Sequence, residues 1–496
     1  MIRGADLAAL LWIAVVPPGG RYESAAMRGA PGSAAPAAVG SADTAGVALM
    51  RVLSCGGCHA GTPPPAPPAA VPAFGPGAGH YDAAWLLAYL AGPQGAGEAA
   101  RRATSGAERM PDFKLDEGER LALALFLGGE ATSGAAGQAG GSGQGTTHSA
   151  SAQEVATLRR ARSRHPDVDS ALGRRIFVAL DCAACHRYPG LEAWRSGPPL
   201  DMEKNRVRAD WLRTYLRDPR PVRPFGFQPG TGSRMPDYHL DAGEIDALVA
   251  ALGPAGPAKG DAAAAAGDVA RLSPFDEAKI RALLRTRLAC LGCHRLDGAG
   301  GRVGPDLSSA GSRLEPAFIR RMLGDPQDAV PGSAMPKVPM PAATESLLLR
   351  LLEEQRTPAQ PGARLSLAGT TLRPPAQGDA PASVYLRFCS ACHGAGGHGD
   401  GYNAPNLPVP PTAHASAALM SPLPDDVIYD AVAAGGYVMG HSARMPPFGA
   451  TLNDGQIHGL VAFIRTLCRC SGPAWSTDGE RRTPETGGAR HAPGRD

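Results

Sequence analysis

An all-α fold, four small helical units in tandem joined by flexible linkers, is what this sequence predicts. Three observations carry the prediction. The pattern Cys-x-x-Cys-His occurs four times in 496 residues, at Cys55-Cys58-His59, Cys182-Cys185-His186, Cys290-Cys293-His294 and Cys389-Cys392-His393. A Met-Pro pair follows each His by 51, 49, 41 and 52 residues, at Met110, Met235, Met335 and Met445. Around these landmarks apolar residues recur at helical spacing, and no strand-like alternation flanks the motifs.

The length calls for several domains, since typical ones hold roughly 100–200 residues. With 64 Gly, 48 Pro, 5% aromatic and 19% charged residues, the composition describes small folded units separated by irregular segments. So few aromatics leave protein-only cores poor, a deficit that a large apolar cofactor in each unit would fill. The formal charge is +3, and no run of Lys and Arg interleaves with aromatics, so nothing points to a nucleic-acid partner.

Taken in chain order, residues 1–26 read as a signal peptide. Arg3 precedes the apolar run Leu7 to Val16, which is too short to span a ~30 Å bilayer core needing about 20 residues. Ser24-Ala25-Ala26 offers a small-residue cleavage site; a short buried helix is the competing reading of the apolar run. Export follows, with no transmembrane segment left after cleavage. Residues 27–43 read as disordered, and the four units as 44–130, 165–253, 272–356 and 378–470.

Each unit repeats one order of elements. A helix precedes the motif: Leu172, Ile176 and Ala179 fall on one face, and Ser273-Pro274 with Asp276 and Glu277 is a good helix start. A second helix follows midway, through Trp85-Leu86 and Tyr89-Leu90, Trp211-Leu212 and Tyr215-Leu216, and Phe318-Ile319 and Met322-Leu323. After the Met a third opens with a capping box, Asp116 with Glu119, Asp241 with Glu244 and Asn453 with Gln456; the third unit offers only Thr344 before Leu347 to Leu352. Between units, 131–164, 254–271 and 357–377 are rich in Gly, Ala, Ser, Pro or Gln and read as linkers, and 471–496 as a disordered tail. As a coil, the first linker spans ~30 Å, so the units are expected as tethered neighbours unless their faces also pack.

The repeated motif sets two thiols one helical turn apart with an adjacent His, the signature of c-type haem attachment. A zinc site would need a second ligand pair roughly 12–20 residues away, and a thioredoxin-like site would need βαβ surroundings; neither is present. The cysteines expected to hold haem are therefore Cys55, Cys58, Cys182, Cys185, Cys290, Cys293, Cys389 and Cys392. The proximal iron ligands are His59, His186, His294 and His393. Met is a soft sixth ligand that raises the haem potential, which nominates Met110, Met235, Met335 and Met445. Met340-Pro341 competes with Met335-Pro336 in the third unit.

These residues resemble the mono-haem class I cytochrome c family, across all four units. The resemblance implies four covalently bound haem c groups and a Pro carbonyl accepting the second N–H of each proximal His. Pro198 or Pro199, Pro305 and Pro405 match that position, and Pro76 does so loosely. It also implies periplasmic placement and electron relay between redox proteins, a membrane respiratory complex being one candidate partner. A carrier role is favoured over an enzyme because six-coordinate iron leaves no substrate position. Two alternatives stand: a haem enzyme or oxidoreductase subunit with one open haem, the shorter third unit being its best site, and a cytochrome subunit of a larger respiratory complex. His80, His165, His239, His398, His414, His441 and His458 read as solvated loop or helix-flank residues. Cys468 and Cys470 are left for a local disulfide, a contact to another chain, or two spare thiols at a helix end.

Overall fold

The computed structural model describes residues 47–51, 53–59, 81–91, 110–128, 150–184, 190–191, 197–198, 200, 205–252, 271–357, 364–368, 370–373 and 376–477. The expected signal peptide, residues 27–43, Pro76, His80, Cys185, His186, Pro199, the 254–270 part of the second linker and the tail beyond Thr477 lie outside them.

The described chain is helical, with one two-residue hairpin, β1 (Arg295–Leu296) and β2 (Ala299–Gly300). In the first two repeats, residues 47–51 are helical, followed by α1 (Ala83–Tyr89), α2 (Glu117–Gly128), α3 (Ala152–Arg164), α4 (Ser170–Ala179), α5 (Ala209–Arg217) and α6 (Ala242–Leu252). The later repeats supply α7 (Pro274–Thr286), α8 (Pro316–Gly324), α9 (Ala342–Glu354), α10 (Pro381–Phe388), α11 (Asp425–Val438) and α12 (Asp454–Cys468). Local chemistry sets their starts. Asp116 and Glu119, Asp241 and Glu244, and Asn453 and Gln456 each exchange two backbone-to-side-chain bonds of 2.8–3.2 Å, the reciprocal capping that satisfies orphan N–H groups. α9 starts differently: its cap is Pro341, without a side-chain bond, and Thr344 already lies inside the helix.

The last helix of a cytochrome-like unit needs an apolar partner, and the two halves of the chain find it differently. In the third repeat α7 packs on α9 of the same repeat, burying Ile280 and Leu284 against Leu348, Leu351 and Leu352. In the fourth, α10 packs on α12, with Val384 and Tyr385 against Ile457, Leu460, Val461 and Ile464. Each fully buried Leu or Ile contributes roughly 1.5–3 kcal/mol.

The first two repeats exchange partners. α4, which precedes the second motif, packs on α2, the last helix of the first repeat, and Leu172, Ile176 and Phe177 share a core with Leu121, Ala122 and Leu125. Gly173 sits at the crossing, where any Cβ would overlap the Ala122 carbonyl. Met50 of the helix at 47–51 packs instead among Leu212, Leu216, Ile245, Leu248 and Val249 of α5 and α6, in the second repeat.

Two segments read as linkers prove to be partly structural. Ser151 opens α3 with a full capping box, and Leu158 and Ala161 are buried in the core of α1, α2 and α4. Leu367 and Leu372, from the 357–377 segment, are buried in the same core. The Leu367 N–H donates to Glu119 Oε1 at 2.9 Å. Glu119, whose side chain is 1% exposed, also receives two bonds from Arg234 (3.1 and 2.8 Å), and Arg234 donates to the Leu365 carbonyl at 2.5 Å. Among the described residues of these segments only Leu158 and Ala161 of α3 and Leu367 and Leu372 of the later segment are buried, too few apolar positions to stand out against the linker composition around them.

Backbone bridges join the repeats. Asp112 and Asp237 exchange 2.8 Å bonds, and Val207 pairs with Leu314. The Lys337 N–H donates to Thr451 Oγ1 at 2.8 Å. The repeats are packed faces rather than beads on a tether. No helix among the described residues is long and apolar enough to cross a membrane.

Candidate functional site

The third repeat shows how one motif is built. Cys290–Cys293 forms a single helical turn, and the His294 N–H donates to the Cys290 carbonyl at 2.9 Å. The Gly304 N–H donates to the Cys293 carbonyl, and His294 Nδ1 donates to the Pro305 carbonyl, both at 2.8 Å. A Cβ on Gly304 would stand 2.6 Å from the imidazole, so this backbone can approach the ring only through glycine. Burial lowers the His294 pKa against the opposing pull of the Pro305 bond. The ring is therefore neutral, its Nδ1 proton is committed to Pro305, and Nε2 is left with a lone pair to give a metal. Burial also pushes the Cys290 thiol up to about 11 and raises that of Cys293.

The first motif has the same geometry with a different donor of the loop. Cys55–Gly57 forms a 3₁₀ turn and the His59 N–H donates to the Cys55 carbonyl at 2.9 Å. The Gly197 N–H donates to the Cys58 carbonyl at 3.1 Å, and His59 Nδ1 donates to the Pro198 carbonyl at 2.8 Å. A Cβ on Gly197 would stand 2.5 Å from His59 Nδ1. Pro198 of the second repeat thus takes the expected role for His59 of the first. Burial lowers the His59 pKa as well.

The fourth motif departs from expectation at Pro405. The Gly401 N–H donates to the Cys392 carbonyl at 3.1 Å, as in the other loops, but the next residue is Tyr402, whose hydroxyl donates to the Gly226 carbonyl at 3.0 Å. His393 Nδ1 donates instead to the Thr412 carbonyl at 2.9 Å, because the longer loop returns later. Burial lowers the His393 pKa and pushes the Cys389 thiol up to about 12. His414, read as solvated, is buried; it stacks on His393 with ring centroids 4.1 Å apart and its Nδ1 lies 3.0 Å from the Tyr385 hydroxyl. Burial lowers its pKa to about 2. Nothing in the spacing of His414 distinguished it from the exposed histidines. Of the second motif, Cys182–Ala184 forms a 3₁₀ turn, with Cys182 packed on the core of α1, α2 and α4.

The four methionines are half-buried and stand ahead of the last helix of each repeat. Met235 packs in the cluster that also holds Cys55, and Met445 in the one that holds Cys389. Gly435, at φ 78, breaks α11 so that its backbone meets the Met445 segment, and the Gly436 N–H donates to the Met445 carbonyl at 3.1 Å. Two residues before the first residue of each last helix stand Leu115, Leu240, Met340 and Leu452. All four pack against their helix cores, the hydrophobic staple position next to the N-cap.

The motifs also meet in pairs. Gly57 abuts Ala184 so closely that a Cβ would overlap its side chain. In the second pair, Asn403 Nδ2 donates to the Gly292 carbonyl at 2.9 Å, Asn403 N–H to the Ala391 carbonyl at 2.9 Å, and the Arg302 N–H to Asn403 Oδ1 at 2.9 Å. Asn403 is fully buried, and composition gave no sign of it.

Residues 170–252 match the family model described as cytochrome c, and residues 376–464 that described as cytochrome c oxidase, cbb3-type, subunit III. The chain carries c-type cytochrome domains. No curated protein and no solved structure matches it. Cytochrome c domains hold haem covalently and use its iron for electron transfer. The residues present fit that group: imidazoles oriented by backbone carbonyls, half-buried thiols in pairs, and glycines where a side chain would strike the ring. Among the described residues no three His, Cys, Asp or Glu side chains gather at one metal position. Cys468 and Cys470 form a disulfide at the end of α12, resolving the alternatives for that pair.

Proposed function

We propose that the protein is an exported, four-haem electron relay working in the periplasm between redox proteins. The observation that carries this reading is the meeting of attachment motifs in pairs, Gly57 on Ala184 and Gly292 joined through Asn403 to Ala391. Motifs in contact bring their haems close without any partner dissociating, which is what a relay needs. Cys55 and Cys58, Cys182 and Cys185, Cys290 and Cys293, and Cys389 and Cys392 hold the haems; His59, His186, His294 and His393 are the proximal ligands, and Met110, Met235, Met335 and Met445 the distal ones. Met335 is preferred to Met340 because Met340 occupies the staple position that Leu115, Leu240 and Leu452 fill elsewhere.

The match of residues 376–464 to a cbb3-type oxidase subunit favours one particular setting, docking on a membrane respiratory complex through the fourth repeat. The haems supply one-electron chemistry at iron; the chain orients the imidazoles of His59, His294 and His393 through the carbonyls of Pro198, Pro305 and Thr412. Intact mass after denaturation is the test: thioether-bound haem survives unfolding, so the mature chain should carry four. Fewer than four, or zinc at the motifs, overturns the reading. Sustained peroxide turnover, with stoichiometric carbon monoxide binding at one haem of the reduced protein, would replace relay by catalysis.

A further inference from the structure

The geometry points to an exchange of distal ligands between the first two repeats: the iron held by His59 takes Met235, which leaves Met110 for the second motif. The inference rests on the haem reading above and extends it, since sequence order alone pairs His59 with Met110.

The carbonyl that holds the His59 ring and the backbone that holds its motif both come from the second repeat. The ring bonds to Pro198 and the motif to Gly197, reproducing the His294–Pro305 and Cys293–Gly304 bonds that the third repeat makes within itself. Cys55 shares a cluster with Leu200, Trp211, Leu212, Met235 and Ile245. The described part of the second motif shows the reciprocal arrangement. Cys182 and Ala183 pack with Trp85, Leu115 and Leu121, and α4, which delivers them, lies on α2 with Phe177 edge-on to Phe126 at 5.8 Å. Residues 81–91, 110–128 and 150–184 are therefore a cytochrome unit in permuted order, midway helix first and attachment motif last. The unit closed by residues 47–59 and 197–252 is interrupted by it. One thioether serves one iron, and Met235 lies with the cysteine of the first motif.

The test uses the full-length protein and the charge-transfer absorption of Met-ligated ferric haem. In a Cys55→Ala/Cys58→Ala background, which removes the first haem, Met235→Ala should leave the band of the remaining haems unchanged, and Met110→Ala should remove one haem's share of it. The mirror background, Cys182→Ala/Cys185→Ala, should give the mirror result. Loss on Met235→Ala but not on Met110→Ala in the first background overturns the exchange. Haem mass missing from the first motif of the unsubstituted protein would instead sink the haem reading itself. Should the variants fail to fold, a photoreactive phenylalanine analogue at Phe126 decides in the otherwise unaltered chain. Capture of the peptide containing Phe177 supports the exchange, and capture of residues 47–51 overturns it.

Discussion

The two halves of the molecule use one repeat in two ways. In the third and fourth repeats the helix before the motif closes on the last helix of the same repeat, α7 on α9 and α10 on α12. In the first and second, the first helices trade last helices, so α4 lies on α2 and the 47–51 helix on α6. Both halves satisfy the same demand, an apolar face covered on the leading helix and a carbonyl for the imidazoles of His59, His294 and His393. The difference teaches that a tandem repeat specifies which kinds of element meet, while the copy that supplies them is a separate decision.

The largest expected effect breaks the interlaced half alone. Glu119→Ala leaves the Arg234 guanidinium buried without its carboxylate, at a cost of about 3–5 kcal/mol. Hydrogen exchange should show residues 81–128, 150–184 and 205–252 opening together, with 271–357 protected as before. If only α2 loosens, the two repeats are not interlaced energetically. A cut of similar kind in the self-contained half should stay local. Leu348→Ala, at a 1% exposed site, is expected to cost ~2–5 kcal/mol, with chemical denaturation monitored at the third haem moving and the first pair unmoved.

Replacing Met340 sharpens the comparison between repeats. As a half-buried staple it should cost on the order of 1–2 kcal/mol on conversion to Ala, below the fully buried range, and leave every haem spectrum as it was; Met335→Ala should change one. A spectral change on Met340→Ala reverses the ligand choice. The smallest effect belongs to Ser151→Ala, which removes the cap of α3 at about 1 kcal/mol. Thermal melting should show it at all only because the 131–164 segment is partly folded; a pure linker would not register the change.

Much of this was legible in the residues. Helix starts at Asp116, Asp241, Ser273 and Asn453, the midway helices with Trp85 over Tyr89 and Trp211 over Tyr215, and the carbonyl of Pro305 on His294 all follow from bonds within a few residues or a fixed spacing. Others were not. His414 and Asn403 look like loop residues until the chain brings Tyr385, Gly292 and Ala391 around them, and Pro405 lost its expected role because Tyr402 follows Gly401 and the loop closes at Thr412.

The sequence by itself determined the four motifs, the helices that carry them and the chemistry of thiol, imidazole and thioether, because each is written in local spacing and local hydrogen bonds. Only the tertiary structure decided which repeat completes which. Both α2 and α6 present an apolar face to a leading helix. The choice falls to contacts far apart in the chain: Gly173 against Ala122, Glu119 with Arg234 and Leu367, and Gly197-Pro198 on the ring of His59.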